Sequence, residues 1–505
     1  MKPLPVKNFF FNNIDTLLFA VAAFVFILML AHYGGIGISP DSITYSSVAK
    51  SFIQTGKFIE FDEMPYIDFP VGYPVFLSIF FKLFGNDFIH FGTYINATLF
   101  AILVLLSGFS IQRFTSLPRL YKIVMLTCIV FSPGLLEVYS MLWSETLFIL
   151  LSVLFIITLY KYVQKITIAT LITTAVVVAL ICIVRYAGIA TIMAGGFVLL
   201  CMKHASIKQK ILHGVLFGSI SVSLLVCNLI RNDYVRGYLT GEREKSYTSL
   251  HQNLSYFGTV IYDWLPNLFN HHVPEVVLGT LIIVLLAAAV IWHIITKKDK
   301  NSFIYIATVF AFVYTTFMVV IATISRFEML DSRFFSPAFI PMLFMLAYWL
   351  NELVVASKRW FKTLFVCTSI LIAVFFIWTE FNSSFSSYSD IKDYGIPGYT
   401  DDDWRLSPTI QYLQANAGNF RSDYEIYSNG NDAVFFFTNH LAQQLPHKQF
   451  PNDVKEFYND DHFYLIWINL SDNNDYITLK EVLQHKPLKL VKRFPDGAIY
   501  STNDN

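Results

Sequence analysis

Charge is scarce in this chain. Only 14% of its 505 residues are Asp, Glu, Lys or Arg, where a soluble chain carries about 25%. The charge present cancels, 36 basic residues against 36 acidic, so no basic surface points to nucleic acid as a partner. Cysteine is nearly missing: Cys128, Cys182, Cys201, Cys227 and Cys367 all lie in apolar stretches and make no CxxC pair. That reads as small core residues and excludes a disulfide framework or a thiolate metal site. Internal repeats and low-complexity tracts are also missing, and the lack of an obvious inverted repeat counts against a secondary transporter. Hydrophobic residues make up 55% and mean hydropathy is +0.52. The chain is therefore a polytopic membrane protein, with room for a membrane domain and one further domain.

A helix needs about 20 apolar residues to span a bilayer. Eleven runs qualify, near 14–33, 88–111, 121–138, 142–161, 166–182, 187–202, 210–230, 275–296, 302–322, 334–355 and 361–378. The run 71–84 is shorter, carries Pro74 and Lys82, and reads as an interfacial or re-entrant piece. Lys2 and Lys7 precede an apolar stretch from Thr16 to Ala31 with no clean cleavage site, so the first helix is expected to be retained.

With the N-terminus in the cytoplasm, the inner loops hold Arg113, Arg119 and Lys122; Lys161 and Lys165; Lys203, Lys208 and Lys210; Lys297, Lys298 and Lys300; Lys358, Arg359 and Lys362. Asp299 is the one acid among them. The outer loops hold Asp41, Glu60, Asp62, Glu63, Asp68, Glu137 and Glu145. This positive-inside pattern fixes the orientation, and an odd helix count puts the tail outside. The expectation is a membrane domain over 1–378, with a long first outer loop at 34–87, and a small extracytoplasmic α/β domain over 379–505. Strand-like runs at Tyr424–Ser428, Phe463–Asn469, Lys489–Val491 and Ala498–Tyr500, with helical patterns near Leu406–Ala415 and Thr478–His485, support that tail.

Four charges should sit at the same, outer end of the apolar helices: Asp41, Glu145, Arg185 and Arg333. A charge there costs free energy unless it is paired, hydrated or used. Asp41 opens an amphipathic stretch, Ile43–Thr55, expected to lie along the membrane surface, and its plain structural role would be to cap that helix. Glu145 would complement the positive end of the helix it begins. Arg333, with Arg326 seven residues earlier, lies just before a helix and next to Asp331, its simplest partner. Arg185 joins two helices beside Tyr186. A cation at a helix N-terminus is mildly repelled by the dipole, and a bound phosphate would relieve that. His271 and His272 with Glu275 fit no standard zinc spacing, so no metal site is assigned.

At these residues the chain resembles the GT-C glycosyltransferases, the group of the protein O-mannosyltransferases and the lipid A aminoarabinose transferase. The resemblance is carried, in order, by Pro40-Asp41-Ser42-Ile43-Thr44-Tyr45, Phe69-Pro70-Val71-Gly72-Tyr73-Pro74, Ser144-Glu145, Arg185-Tyr186 and Arg333-Phe334-Phe335-Ser336-Pro337. The tail adds the turn Tyr427-Ser428-Asn429-Gly430. One departure matters: transferases of the aminoarabinose type carry acid-Lys-Pro-Pro where this chain has Asp68-Phe69-Pro70-Val71. The lysine near the donor phosphate is missing, which leaves that work to arginines.

The resemblance implies inverting transfer of a hexosyl or pentosyl group from a polyprenyl-phosphate donor to a hydroxyl of a glycan, lipid or protein, on the extracytoplasmic side. Such a reaction needs one base for the acceptor and cations for the departing phosphate. Asp41 is then the base. Arg185, Arg333 and Arg326 meet the phosphate, while Glu145, Asp68, Tyr45 and Tyr73 orient sugar or acceptor. Tyr66 offers another ring, although tyrosine is ordinary at a membrane interface. A divalent ion could assist only if Asp41, Asp68 and Glu145 converge. The tail offers no nucleophile triad or metal cluster and is expected to be non-catalytic. Its last residues, Thr502-Asn503-Asp504-Asn505, carry no retention signal, which points to a bacterial cell membrane. Two other classes stay open: a transporter or flippase, which should place charges near the midplane, and an envelope-polymer assembly protein, which would not need Asp41.

Overall fold

The computed structural model describes residues 13–115, 117–202, 205–241, 243–265, 273–296, 302–356, 359–471, 473 and 475–502. Lys2, Lys7, Lys203, His271, His272, Lys297, Lys298, Asp299, Lys300, Lys358, Asn503, Asp504 and Asn505 lie outside the described residues. The chain divides into two compact units. The first is Met1–Leu30, Ile67–Phe76 and Phe91–Asp390; the second is Ala31–Tyr66, Leu77–His90 and Ile391–Asn505.

In chain order the first helices are α1 Ile14–Leu30, α2 Pro40–Thr55, α3 Gly72–Phe84, α4 Phe88–Phe114, α5 Arg119–Val130, α6 Pro133–Ser140 and α7 Glu145–Gln164. There follow α8 Ile168–Val184, α9 Ile189–Cys201, α10 Ile207–Arg236, α11 Leu250–Trp264, α12 Glu275–Ile295, α13 Phe303–Ile324, α14 Ser332–Ala356 and α15 Arg359–Tyr394. All eleven expected apolar runs are helical. Among the described residues eight helices are long and apolar enough to cross a membrane, or nine if the bent pair α5 and α6 is one span. Of the eleven, α8 and the helical turn running from Tyr186 into α9 are shorter; α3, which covers the separate run 71–84, is shorter too.

The bend between α5 and α6 is 48°. Pro133 begins α6 and has no N–H to give, so the helix ladder breaks there. The exposed Phe131 carbonyl accepts a hydrogen bond from Ser384 Oγ of α15, 2.7 Å. Ser132 Oγ accepts from the Leu135 N–H. A broken helix in lipid must be repaired in this way, because no water is there to do it. At the far end of α5, Lys122 is buried and donates to Asp15 of α1 at 2.7 Å, with Arg119 on the other oxygen at 2.9 Å. These two cations, expected in an inner loop, thus tie α5 to α1.

Close helix approach rests on glycine. A Cβ on Gly258 of α11 would overlap the Glu275 carbonyl of α12, and one on Gly279 would overlap the Leu254 carbonyl. Small residues let backbones meet where the hydrophobic effect gives no help. Gly72 works likewise, since a Cβ there would overlap the Ile183 carbonyl at the end of α8. The segment before it is pinned too: Tyr186 Oη and Asn232 Nδ2 both donate to the Ile67 carbonyl at 3.3 Å, and the Val71 N–H donates to Asn228 Oδ1.

The second unit holds α2, most of α3 and a five-stranded sheet built from β1 Glu425–Ser428, β2 Gln443–Gln444, β3 Phe463–Ile468, β4 Leu488–Phe494 and β5 Gly497–Thr502. The strand order is β2-β1-β3-β5-β4; β1 pairs parallel with β2 and β3, and β5 pairs antiparallel with β3 and β4. Helices α16 Pro408–Asn416, α17 Asn431–Thr438, α18 Pro451–Asn459 and α19 Leu479–His485 accompany it. Leu445, Phe457, Phe463, Leu465 and Val482 form its core. The edge strand β4 shows Lys489, Lys492 and Arg493 to solvent, which blunts edge pairing. All four strand-like runs and both helical patterns of the tail are present, while β2, α17 and α18 add to what the sequence pattern predicts. The turn Tyr427–Gly430 is structural. Asn429 donates to the Ile468 and Ser471 carbonyls and accepts the Ile468 N–H, locking β1 to the end of β3. Within this unit the Tyr399 N–H donates to the Ile38 carbonyl at 2.8 Å and Thr400 Oγ1 to the Ile36 carbonyl at 3.1 Å.

Replacing Gly258 with alanine should force α11 and α12 apart. Overpacking of this kind costs about 1–3 kcal/mol. The expected result is a thermal unfolding midpoint several degrees lower in detergent for Gly258→Ala. Gly218→Ala, where a Cβ meets nothing within 4 Å, should unfold at or above the wild-type midpoint.

Candidate active site

Three ends of apolar helices meet on one carboxylate. Ser144 is the N-cap of α7 and Glu145 its first residue. Arg185 caps the C-terminus of α8 in extended backbone, φ −148° and ψ 141°. Arg333 is the second residue of α14. Glu145 Oε1 accepts from Arg185 Nη1 at 2.7 Å and from Arg333 Nε. Arg185 Nη1 also reaches Ser144 Oγ at 2.8 Å. The Trp143 ring lies under the Arg333 guanidinium, 4.2 Å from ring centroid to the guanidinium carbon, a stacking that suits arginine better than lysine. The Glu145 side chain is 2% exposed, Arg333 10% and Arg185 15%.

The local sequence explains the convergence. Glu145 at the first turn of α7 complements the helix dipole, as expected. Arg185 stands at both kinds of helix end: it is the C-cap of α8, where a cation is favoured, and the N-cap of the helical turn from Tyr186 into α9, as expected. For Arg333 the N-terminal placement holds, and Glu145 offsets the dipole. Asp331 meets Arg333 through the backbone instead: its Oδ1 accepts the Arg333 N–H at 2.9 Å. Burial pushes the Asp331 carboxyl above the ordinary aspartate value, with the Arg333 charge opposing the shift.

The other expected residues sort into two groups. In the first unit, Arg326 is ion-paired to Glu244 and lies over the Tyr247 ring, and it is not on the Glu145 carboxylate. Asp68 is exposed. Its carbonyl accepts from Arg243 Nη2 at 3.1 Å, and its carboxylate stands where a Cβ on Gly241 would be. Arg243 also faces the Tyr186 ring at 5.8 Å. A cation therefore stands beside Asp68 although the lysine of the aminoarabinose pattern is missing from the first loop. A separation of 175 residues hides it from sequence reading. Tyr73 is fully buried.

Asp41 and Tyr45 belong to the second unit. Ser39, not Asp41, is the N-cap of α2; its N–H donates to Ser42 Oγ at 3.1 Å and Pro40 opens the helix. Capping is thus not what Asp41 is for. Tyr45, one turn on, is buried, as is Tyr66. From α17, Asp432 lies close enough to Asp41 for the two charges to repel. Tyr399 Oη donates to Asp432 Oδ2 at 2.6 Å. Burial raises the Asp432 carboxyl above its ordinary value, the Tyr399 hydrogen bond opposes the rise, and Asp41 adds to it. Neither Tyr399 nor Asp432 stands out in the sequence, although Asp432 follows closely on the Tyr427–Gly430 turn. Among the described residues no group of three or more His, Cys, Asp or Glu could hold a metal ion.

No family model matches this chain, and no curated protein matches it either. Solved structures do. ArnT from Cupriavidus metallidurans superposes in the apo state with a TM-score of 0.57 at 12% identity, over 97% of this chain and 98% of that one. The same enzyme bound to undecaprenyl phosphate gives 0.59 at 11%, over 97% and 99%. The archaeal oligosaccharyltransferase AglB from Archaeoglobus fulgidus, in complex with an inhibitory peptide and a dolichol-phosphate, gives 0.54 at 12%, over 92% of this chain and 70% of that one. The chain thus shares its fold with ArnT and AglB, and its long apolar helices make it an integral membrane protein.

Two outcomes follow from this geometry. Glu145→Gln strips the counter-ion from two largely buried guanidiniums, which should cost about 3–5 kcal/mol; a lower unfolding midpoint in detergent checks it. For Asp432 the folded carboxyl binds its proton more tightly than the unfolded one. Its stabilising contribution is full below the unfolded value and is lost as pH rises through the folded one. Asp432→Asn keeps an acceptor for Tyr399 and removes the repulsion. It should unfold at a higher temperature than wild type at pH 7, with the difference shrinking towards pH 4.

Proposed function

We propose that this protein transfers a sugar from a polyprenyl-phosphate donor to a hydroxyl acceptor at the extracytoplasmic face of a bacterial cell membrane. The observation that carries the reading is the pair of arginines held on one buried carboxylate at the ends of apolar helices, on a GT-C fold. Charges at helix ends suit chemistry at the membrane surface; a transporter would place them at the midplane of broken helices.

In this reading the transfer is inverting. Asp41 takes the acceptor proton, the acceptor oxygen bonds to the anomeric carbon, and the bond from that carbon to the phosphate oxygen breaks. Polyprenyl phosphate leaves with the electron pair. Phosphate is a competent leaving group, so no strong general acid is required, unlike in a glycosidase. Arg185 and Arg333 meet the growing negative charge. Glu145 acts as their shared positioning group, fixing both guanidiniums so that little reorganisation is needed as charge develops. Arg243 supplies the cation beside Asp68 that the first loop lacks. The inner loops face the cytoplasm, and the tail supports the first outer loop without entering the chemistry.

The test is transfer from radiolabelled polyprenyl-phosphate sugars in proteoliposomes, with glycan, lipid and protein acceptors offered. Loss of a general base typically costs 10²–10⁴-fold. Asp41→Asn should therefore drop donor consumption by about 100-fold or more while still binding donor. Equal rates in both proteins would remove Asp41 as the base. Failure of the wild type to consume any donor with every acceptor present would sink the transferase reading.

A further inference from the structure

The second unit contains a cation that the proposed chemistry does not use. Lys50 lies on α2, nine residues and two and a half turns beyond Asp41. It lines a cavity of about 60 Å³ together with Ser46, Ser47, Phe88, Phe435 and Phe436. Its ammonium is over two aromatic rings, 5.1 Å from the Phe88 centroid and 5.6 Å from that of Phe81. Among the described residues no carboxylate or hydrogen-bond acceptor pairs with it. Burial pulls its pKa below the ordinary lysine value, with no anion nearby to hold it up.

That arrangement is costly for a purely structural lysine. Lys50 is half-buried; drawing an ammonium even partly out of water without an anion costs free energy, and a long stem can usually snorkel its charge back to solvent. Cation–π contact with Phe returns only about 0.5–2 kcal/mol. The walls add hydroxyls suited to an anion. Ser46 Oγ and Ser47 Oγ donate at present to their own helix, to the Ile43 and Thr44 carbonyls at 3.0 and 2.9 Å, and a hydroxyl can turn to a better acceptor. The space matters as well. A water needs about 15 Å³, so the cavity takes about four such groups. A phosphate or carboxylate head fits that volume.

We propose that the Lys50 cavity is a binding site for the oxyanion head of an amphiphile, a phosphate or a carboxylate, separate from the donor-phosphate arginines. An oxyanion there pairs with the ammonium, takes hydrogen bonds from Ser46 and Ser47, and leaves its apolar remainder to the phenylalanines. Two sources share this chemistry: an anionic membrane lipid, or an anionic group on the acceptor. The second source rests on the transferase reading, whereas the binding itself does not.

The experiment follows thermal unfolding of the full chain in a neutral detergent, for wild type, Lys50→Arg and Lys50→Met. The probes are inorganic phosphate, short-chain phosphatidylglycerol and, as the control without an oxyanion, short-chain diacylglycerol. The expected result is a midpoint raised by a few degrees with an oxyanion probe over the control. Lys50→Arg should keep the response, and Lys50→Met should need at least tenfold more probe for the same shift. A response to both phosphate and phosphatidylglycerol supports a site for any free oxyanion; a response to phosphatidylglycerol alone supports a lipid headgroup as occupant. No wild-type response to either probe, or an equal response from Lys50→Met, overturns the proposal. Because nothing in the readout needs turnover, its failure is distinct from failure of the transferase reading.

Discussion

One carboxylate, Glu145, sets the geometry on which the charged end of the first unit depends. It ties the start of α7 to the end of α8 through Arg185 and to the start of α14 through Arg333. Two unit charges about 4 Å apart attract by about 4 kcal/mol at the effective dielectric of a partly buried site. Dehydrating each ion costs several kcal/mol, so the triad is close to neutral for stability. Its value is positional. Two cations on one anion leave the triad itself with one surplus positive charge, and the Asp331 and Glu137 carboxyls lie within the field of Arg333. A stacked Trp143 and a shared carboxylate leave Arg333 few orientations, which is what pre-organised electrostatic stabilisation requires.

The rest of the first unit shows how a lipid-embedded fold keeps such a site in place. Helix approach comes from missing side chains at Gly72, Gly258 and Gly279. The break at Pro133 is repaired by Ser384, and the far end of α5 is anchored by the Asp15 pair. Each device satisfies a polar group that the bilayer would leave unpaired.

The spans are legible because a run of apolar residues long enough to cross lipid has few other uses. Glu145, Arg185 and Arg333 are legible for the converse reason: a charge beside such a run needs an explanation. Their mutual pairing is not legible. Positions 145, 185 and 333 are far apart in sequence, and the nearest acid to Arg333 is Asp331, whose side chain turns to the backbone instead. Asp41 looks like a cap because it stands at the opening of α2, yet Ser39 does that work. The strands β3 and β5 announce themselves by β-branched and aromatic runs, whereas β2 spans two glutamines and has no pattern to read. Lys50 passes as one polar residue of an amphipathic helix, since nothing local tells a solvated lysine from one lying over two rings.

The same long-range stitching decides how the tail can be studied. Residues 36–38 give backbone carbonyls to Tyr399 and Thr400, and Gly398, at φ +119°, passes so close to Ile38 that a Cβ there would overlap its carbonyl. Removing the tail would strip those carbonyls of their partners, uncover the buried Ile36 and Ile38, and take Phe435 and Phe436 from the Lys50 cavity. Loss of activity on truncation would then report the collapse of α2 and its Asp41, whatever the tail contributes to chemistry. A role for the tail has to be read from single side chains instead. Asp432 is the informative one, because exchanging its carboxylate for an amide changes the charge felt by Asp41 and leaves the backbone joints and Tyr399's acceptor in place.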